Sequence, residues 1–103
     1  MRSASGSTLT TFDLEFLPSA QKEWDKLGST IQKQFTNKLR ERLSRPRVQT
    51  DRLQGMPDCY KIKLRSAGYR LVYRVYDDRI VVQVIAVGKR ERNEVYKAAA
   101  GRV

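Results

Sequence analysis

The chain has 103 residues, and its 21 Lys and Arg against 11 Asp and Glu give a formal net charge of +10 and a pI near 10.2. This length fits one domain, and the charge favours a polyanionic partner, with nucleic acid ahead of an anionic membrane surface. With no histidine, one cysteine and no run of about eighteen apolar residues, the sequence excludes a Cys/His zinc site, an internal disulfide and a membrane-spanning helix, so we expect a cytoplasmic protein.

The N-terminal part predicts a leader, a strand and a first helix. Residues 1–10 are polar and rich in Ser, Gly and Thr, as in a flexible leader, so we expect a single domain over residues 11–103. Apolar and polar side chains alternate over residues 12–16, which predicts a half-buried strand. A helix is predicted over residues 19–27, and we expect Gly28 to end it in the left-handed conformation.

A second helix is predicted where apolar residues recur every four positions over 31–43. A possible capping box of Ser29 and Gln32 starts it, and Pro46 stops it. Its other face is basic, and we interpret that face as solvated or, alternatively, as a stripe facing RNA. This face carries Lys33, Lys38, Arg40 and Arg42.

The next segment predicts a β-hairpin with one apolar and one cationic side. Residues 60–65 and 69–75 alternate apolar with basic side chains, and a turn at 66–68 joins them. Residues 80–87 are nearly all apolar, as in a central strand covered on both faces, and Gly88 is expected to break that strand. We interpret the strand tyrosines as packing residues rather than platforms for stacked bases: Tyr60, Tyr69, Tyr73 and Tyr76.

The order of elements predicts a small α+β domain with an antiparallel sheet. We expect the two N-terminal helices to cover one face of the sheet. A short C-terminal helix over residues 94–100, capped by Asn93, should set Tyr96 near the cationic face. Like charges on neighbouring strands repel unless a partner supplies negative charge, so this face indicates a binding surface. The alternative is a face that is merely wetted by solvent.

Three runs of residues resemble the bacterial RelE toxins. They are KLGST at 26–30, LQGMPDCYKIKLRSAGYRLVY at 53–73 and VGKRERNEVY at 87–96. The resemblance implies a RelE-like fold and a ribosome-dependent endoribonuclease that enters the A site of the 70S ribosome, beside 16S rRNA, and cuts mRNA there without a metal or other cofactor. It also implies a RelB-like antitoxin partner, with operator DNA bound only through the antitoxin complex, and no membrane partner.

The family's functional positions match this chain residue by residue. The resemblance assigns catalytic roles to Lys61, Lys63, Arg70, Arg90 and Tyr96. The neighbouring basic residues expected to bind RNA are Arg65, Arg74, Lys89 and Arg92. The residues before Thr11 and after Ala99 depart from the family pattern, which leaves the docking of the last helix open.

Metal-free RNA cleavage needs a base for the attacking 2′-hydroxyl, a group that steadies charge on phosphorus and a proton donor for the leaving 5′-oxygen. Arg70 suits the phosphate oxygens, since its guanidinium offers a fixed fork of donors. Arg90 would clamp phosphate as well or protonate the leaving oxygen. Tyr96 with its phenolate favoured by nearby cations, or a lysine deprotonated by crowded neighbours, is the candidate base.

Two other classes of function share parts of this pattern. Related toxins of the same fold inhibit DNA gyrase by protein contact, so the fold alone does not decide the activity. A plain RNA-binding or ribosome-binding module would need the basic face but no particular tyrosine. The intact KIK, GYR and GKRER segments favour the nuclease.

Overall fold

The structure, a computed structural model, describes residues 11–91 and 94–103, and within them it contains four strands and three α-helices. The predicted leader at 1–10, Arg92 and the predicted cap Asn93 lie outside the described residues. The elements, in chain order, are β1 (Asp13–Phe16), α1 (Pro18–Asp25), α2 (Ser29–Ser44), a 3₁₀ turn (Gln49–Asp51), β2 (Cys59–Leu64), β3 (Tyr69–Tyr76), β4 (Val81–Lys89) and α3 (Glu94–Arg102).

The strands form one sheet in the order β1-β4-β3-β2. Strands β2, β3 and β4 make the predicted antiparallel meander. Strand β1 pairs with the other edge of β4 in parallel, with Asp13 opposite Val81 and Phe16 opposite Val84. The sheet is therefore mixed, and β4 lies inside it, as its apolar sequence predicts.

Helices α1 and α2 cover one face of the sheet, as expected. Ala20, Phe35 and Leu39 are buried there, and Trp24 of α1 packs edge-on against Phe16 with 5.2 Å between ring centroids. Each large side chain fully buried in this way contributes about 1.5–3 kcal/mol. The sheet supplies the other half of this first core with Tyr60, Ile62, Leu64, Leu71, Tyr73, Val75, Val82, Val84 and Val87.

A second, smaller core lies on the opposite face under α3. Val95 and Ala99 of α3 are buried there in one cluster with Val72, Ile85 and Ala86, which the strands supply. Consecutive residues of β4 reach the same face because a β-bulge interrupts the pairing with β3. The predicted cationic face is thus half covered, since α3 packs over β4 and β3 and leaves β2 open.

The alternation in the hairpin predicts its side-chain directions correctly. Tyr60 and Tyr73 are buried and stack with 5.7 Å between their centroids. The hydroxyl of Tyr73 donates to the carbonyl of Pro46 at 2.6 Å and accepts from Arg42 Nη1 at 2.8 Å. Both tyrosines are packing residues. Arg42 is no solvated side chain, since it also pairs with Asp51 at 2.5 Å.

Three local predictions are wrong for physical reasons. Gly28 has φ −67°, not a left-handed conformation, and it serves as the N-cap of α2 in place of Ser29. Gln32 makes no capping box, because its amide donates to the carbonyl of Trp24 at 2.8 Å and so ties α2 to α1. Gly88 does not break the last strand but lies within β4, where a Cβ would stand 3.3 Å from Val95 Cγ2.

Candidate active site

Three of the predicted catalytic side chains lie on one face of the hairpin. Lys61 and Lys63 are two residues apart on β2 and therefore point to the same side. Arg70 on β3 stands directly opposite Lys63. The side is the one that α3 partly covers, because Lys61 is paired with Val72 of the second core. We call Lys61, Lys63 and Arg70 the cationic triad.

Arg70 is the buried member of this triad. Only 6% of its surface is exposed, and its Nη1 donates to the carbonyl of Tyr69 at 3.0 Å. Its pairing partner on β4 is Gly88, which has no side chain and so leaves room for the first turn of α3. Among the described residues no carboxylate forms an ion pair with Arg70. A buried guanidinium without an anionic partner is suited to receiving a phosphate.

The pKa of Lys63 is lowered by its charged neighbours. The positive charge of Lys61 lowers the pKa of Lys63 below its ordinary value, and desolvation and the charges of Arg65 and Arg70 act in the same direction. A lower pKa increases the neutral fraction of the amine, which is the form that accepts a proton. The triad therefore combines an arginine suited to binding phosphate with a candidate base.

Arg90, which follows β4, and Tyr96 of α3 lie near the strand pair that carries the triad. The backbone N–H of Arg90 donates to the carbonyl of Gly68 at 2.7 Å, which fixes this residue beside the hairpin turn next to the Lys63 and Arg70 pair. Tyr96 lies in the first turn of α3, half-buried against the second core. Val95 beside it lies close to Gly88, the pairing partner of Arg70, since a Cβ on Gly88 would stand 3.3 Å from Val95 Cγ2. The structure thus places the backbone of Arg90 and the first turn of α3, which carries Tyr96, next to the strand pair that holds the cationic triad.

The predicted RNA-binding residues are more scattered. Arg65 is exposed in the turn after β2, close to the triad. Lys89 pairs with Tyr69, whose ring packs on the first core, so the register directs Lys89 to the opposite side from the triad. Arg74 is on the triad side but four residues beyond Arg70, with its guanidinium 4.8 Å from the Tyr76 ring centroid. Arg92 lies outside the described residues.

One charged contact near the site has no signal in the sequence. Glu23 of α1 and Arg102 of α3 form a two-pronged salt bridge, with Nη1 to Oε1 at 2.9 Å and Nη2 to Oε2 at 3.0 Å. Oε1 of Glu23 also accepts from the N–H of Val87 at 3.2 Å, and Arg102 Nη1 donates to the carbonyl of Ile85 at 2.9 Å. We call this four-residue arrangement the clasp. Its charged partners are 79 residues apart, so no local pattern reveals it.

Residues 11–91 and 94–103 hold no candidate metal centre, since no group of three or more His, Cys, Asp or Glu side chains in these ranges could bind an ion. No helix described there has the length and apolar character needed to cross a membrane.

Comparison with known proteins places this geometry in a family. Residues 14–94 match the family described as "ParE toxin of type II toxin-antitoxin system, parDE". The chain is 60% identical over 90 residues to the mRNA interferase toxin RelE of Escherichia coli K12, covering 87% of this chain and 95% of the relative.

Solved structures agree with the sequence comparison. A doubly arginine-to-alanine-substituted E. coli RelE in the free state superposes with a TM-score of 0.85 at 55% identity, covering 91% of this chain and 99% of that one. RelE in the intact E. coli RelBE toxin–antitoxin complex gives a TM-score of 0.76 at 59% identity, covering 81% and 100%.

Proposed function

The chain belongs to the RelE toxins of type II toxin–antitoxin systems, and from this membership we propose that it is a ribosome-dependent endoribonuclease that cuts mRNA in the ribosomal A site. The coarser description, an mRNA interferase toxin, follows from its relatives. The observation that supports the more specific proposal, an endoribonuclease, is the cationic triad. It consists of two lysines and a buried arginine on one open strand pair, with no carboxylate partner for Arg70 in the described residues.

The proposed reaction is attack of the RNA 2′-hydroxyl on the adjacent phosphorus, with departure of the 5′-oxygen. Arg70 binds the nonbridging phosphate oxygens through its fixed guanidinium and stabilises the charge that grows on them. Arg90, at the hairpin turn, protonates the leaving oxygen. No external nucleophile enters this scheme, because the attacking group belongs to the substrate.

We assign the proton-accepting role to Lys63 and a substrate-contacting role to Tyr96. Lys63 is the residue whose pKa the surrounding charges lower, which is the direction that a base needs near neutral pH. Tyr96 lies in the first turn of α3 next to Val95, which is close to Gly88, the pairing partner of Arg70, and from there its ring would pack on the ribose or base of the reacting nucleotide. The Tyr96→Phe variant, which keeps the ring, separates these roles: it should preserve the pH dependence of the rate if Lys63 is the base.

Dependence on the ribosome follows from the weakness of this catalytic set. An amine and a guanidinium transfer protons less well near neutral pH than a histidine or carboxylate pair does. A ribosome that holds mRNA in an attack-ready conformation supplies what the side chains lack, since correct positioning alone can be worth several powers of ten in rate. We therefore expect slow cutting of free RNA.

The proposed regulatory partner is an antitoxin. E. coli RelE has been solved in an intact complex with its antitoxin RelB. By analogy, a RelB-like protein with acidic or amphipathic segments would cover the cationic face of this chain, and the complex would bind operator DNA through the antitoxin. A net charge of +10 favours such a partner.

Cleavage of a defined mRNA on programmed ribosomes, beside the same RNA without ribosomes, tests the proposal. We expect cuts at the A-site codon only with ribosomes, and slower cutting by the Arg90→Ala variant at unchanged ribosome affinity. Rapid cutting of the free RNA would overturn the dependence on the ribosome. A folded parent protein that cuts neither substrate would overturn the nuclease and direct attention to gyrase inhibition, the activity of related toxins with this fold.

A further inference from the structure

The clasp closes an otherwise open edge of the sheet. Strand β1 pairs with β4 only as far as Val84, so from Ile85 onward the edge of β4 has no strand partner among the described residues. Unpaired backbone groups at such an edge are satisfied by side chains or by water. Here Glu23 accepts from the N–H of Val87 and Arg102 donates to the carbonyl of Ile85, while the two side chains bind each other.

The clasp joins helices that lie on opposite faces of the sheet. Glu23 belongs to α1, which packs on the first core, and Arg102 belongs to the last turn of α3, which packs on the second. The two side chains meet around the edge of β4. This is the only ion pair between the first core and α3 among the described residues.

Helix α3 depends on its contacts for its orientation. It has nine residues, and isolated helices of this length are marginal in water. Its apolar contact is narrow, since only Val95 and Ala99 are buried, with Tyr96 and Ala98 partly buried beside them. Two apolar side chains along one line of the helix hold it against the sheet but leave it free to rotate about that line. The bidentate ion pair between Arg102 and Glu23, which lies to one side of this line, restricts that rotation.

We infer that Glu23 and Arg102 are positioning residues that orient α3 and, through it, place Tyr96 against the nucleotide bound at the cationic triad. The inference rests on the proposed function. The geometry links the clasp and the triad through four consecutive residues of β4: Ile85 and Val87 belong to the clasp, and Gly88 pairs with Arg70 and lies next to Val95. A small tilt of α3 therefore changes the distance between Tyr96 and Arg70 directly.

Two clasp variants and one matched control test this inference. Glu23→Gln removes one negative charge from α1 with little change in size, and Arg102→Ala removes the other partner. Asp25→Asn is the control, because Asp25 is also an acid on α1 but forms only an exposed hydrogen bond with Gln21. Single-turnover cleavage and ribosome affinity are measured for each variant, alone and combined with Tyr96→Ala, beside amide hydrogen exchange of residues 94–103.

We expect both clasp variants to slow single-turnover cleavage about ten- to a hundredfold with unchanged ribosome affinity, while Asp25→Asn cuts at the parent rate. In the Tyr96→Ala background, which lacks the ring, the clasp variants should cause little further loss, because the two clasp residues act through the Tyr96 ring. Exchange in α3 should rise in the clasp variants and remain unchanged in the control.

Three results would overturn the inference. Clasp variants that cut at the parent rate would show that Tyr96 needs no clasp, and a loss that persists in full with Tyr96→Ala would show that the clasp acts elsewhere. Unchanged exchange in α3 would show that the clasp does not fix the helix at all. The exchange measurement needs no nuclease activity, so a parent protein that does not cut RNA refutes the proposed function and its Tyr96 role, while the effect of the clasp on α3 is still measured.

Discussion

Lys63 and Arg70 stand directly opposite each other on the antiparallel strands β2 and β3. Two cations in such positions repel, and a sheet gains stability when one of them is replaced by a neutral residue. Lys61 adds a third positive charge two residues along β2. The free protein therefore carries an electrostatic cost at the place where a phosphate would be bound.

The first prediction is that Lys63→Gln stabilises the free protein and impairs cleavage. Relief of the repulsion from Arg70 should raise the free energy of unfolding slightly at low salt, and the gain should shrink as salt is added. Urea unfolding at low and high salt measures this gain in the free energy of unfolding. Lys33→Gln, which removes the same charge from an exposed position on α2, is the control. A Lys63→Gln variant no more stable than this control would contradict the prediction.

The second prediction concerns the pH dependence of cleavage. If Lys63 must be neutral to accept the proton, the single-turnover rate rises with pH up to the pKa of Lys63, which lies below its ordinary value chiefly because of Lys61. Lys61→Gln removes that cause, so the pKa of Lys63 rises and the pH–rate curve moves to higher pH. At a fixed neutral pH the rate on saturated ribosomes falls, about tenfold for each pH unit that the curve moves.

Arg65→Gln is the graded control for this measurement. Arg65 also lowers the pKa of Lys63, but less than Lys61 does, so its removal should move the curve in the same direction by a smaller amount. Curves that coincide for the parent and Lys61→Gln would exclude Lys63 as the titrating base and leave Tyr96.

The third prediction compares two glycines around α3. A Cβ on Gly88 would stand 3.3 Å from Val95 Cγ2, so Gly88→Ala pushes the first turn of α3 outward. We expect a loss of about 1–3 kcal/mol in the free energy of unfolding, with slower cleavage. Gly101 lies in α3, where an added Cβ would face open space, and Gly101→Ala should stabilise the helix by up to about 1 kcal/mol. Urea unfolding and single-turnover cleavage decide whether the two variants move in opposite directions.

The sequence predicts the triad well because strand alternation is a local property. A period of two places Lys61 and Lys63 on one side of β2, and the short turn at 66–68 fixes the register that brings Arg70 opposite Lys63. The resemblance to the RelE toxins then assigns the roles. Neither step needs information about distant parts of the chain.

The sequence does not predict what depends on distant contacts. The parallel pairing of β1 with β4 joins residues 68 positions apart, and the clasp joins Glu23 to Arg102. Arg42 occupies a position on α2 that the helical periodicity predicts to be solvated, yet it donates hydrogen bonds to the Tyr73 hydroxyl and to Asp51. Such partners are chosen by tertiary packing, which periodicity does not encode. The same holds for Lys89, which is basic in sequence but faces away from the triad.

The fourth prediction separates binding from catalysis. Arg65→Ala should weaken ribosome affinity and lower the slope of log affinity against log salt by about one, since one phosphate contact is lost. Its rate at saturation should fall only slightly, because the loss of Arg65 raises the pKa of Lys63 less than the loss of Lys61 does. Arg74→Ala should have a smaller effect, because its guanidinium packs on Tyr76 and its buried Nε has no hydrogen-bond partner among the described residues. Equal losses of affinity in Arg65→Ala, Arg74→Ala and Arg90→Ala would contradict this division.

The fifth prediction concerns the buried hydroxyl of Tyr73. Burial raises the pKa of Tyr73 to about 12, so the folded state holds this proton more tightly than the unfolded chain, whose tyrosines titrate near pH 10. The contribution of this hydroxyl to the free energy of unfolding is fully present below about pH 10 and is lost as the pH rises through about 12, a change on the order of 2–3 kcal/mol.

Urea unfolding between these pH values should show that decline in the parent and in Tyr69→Phe. Tyr73→Phe should lose the decline, and it should be less stable at pH 7 because Arg42 and the Pro46 carbonyl lose a partner. An equally steep decline in Tyr73→Phe would assign the alkaline transition to other groups.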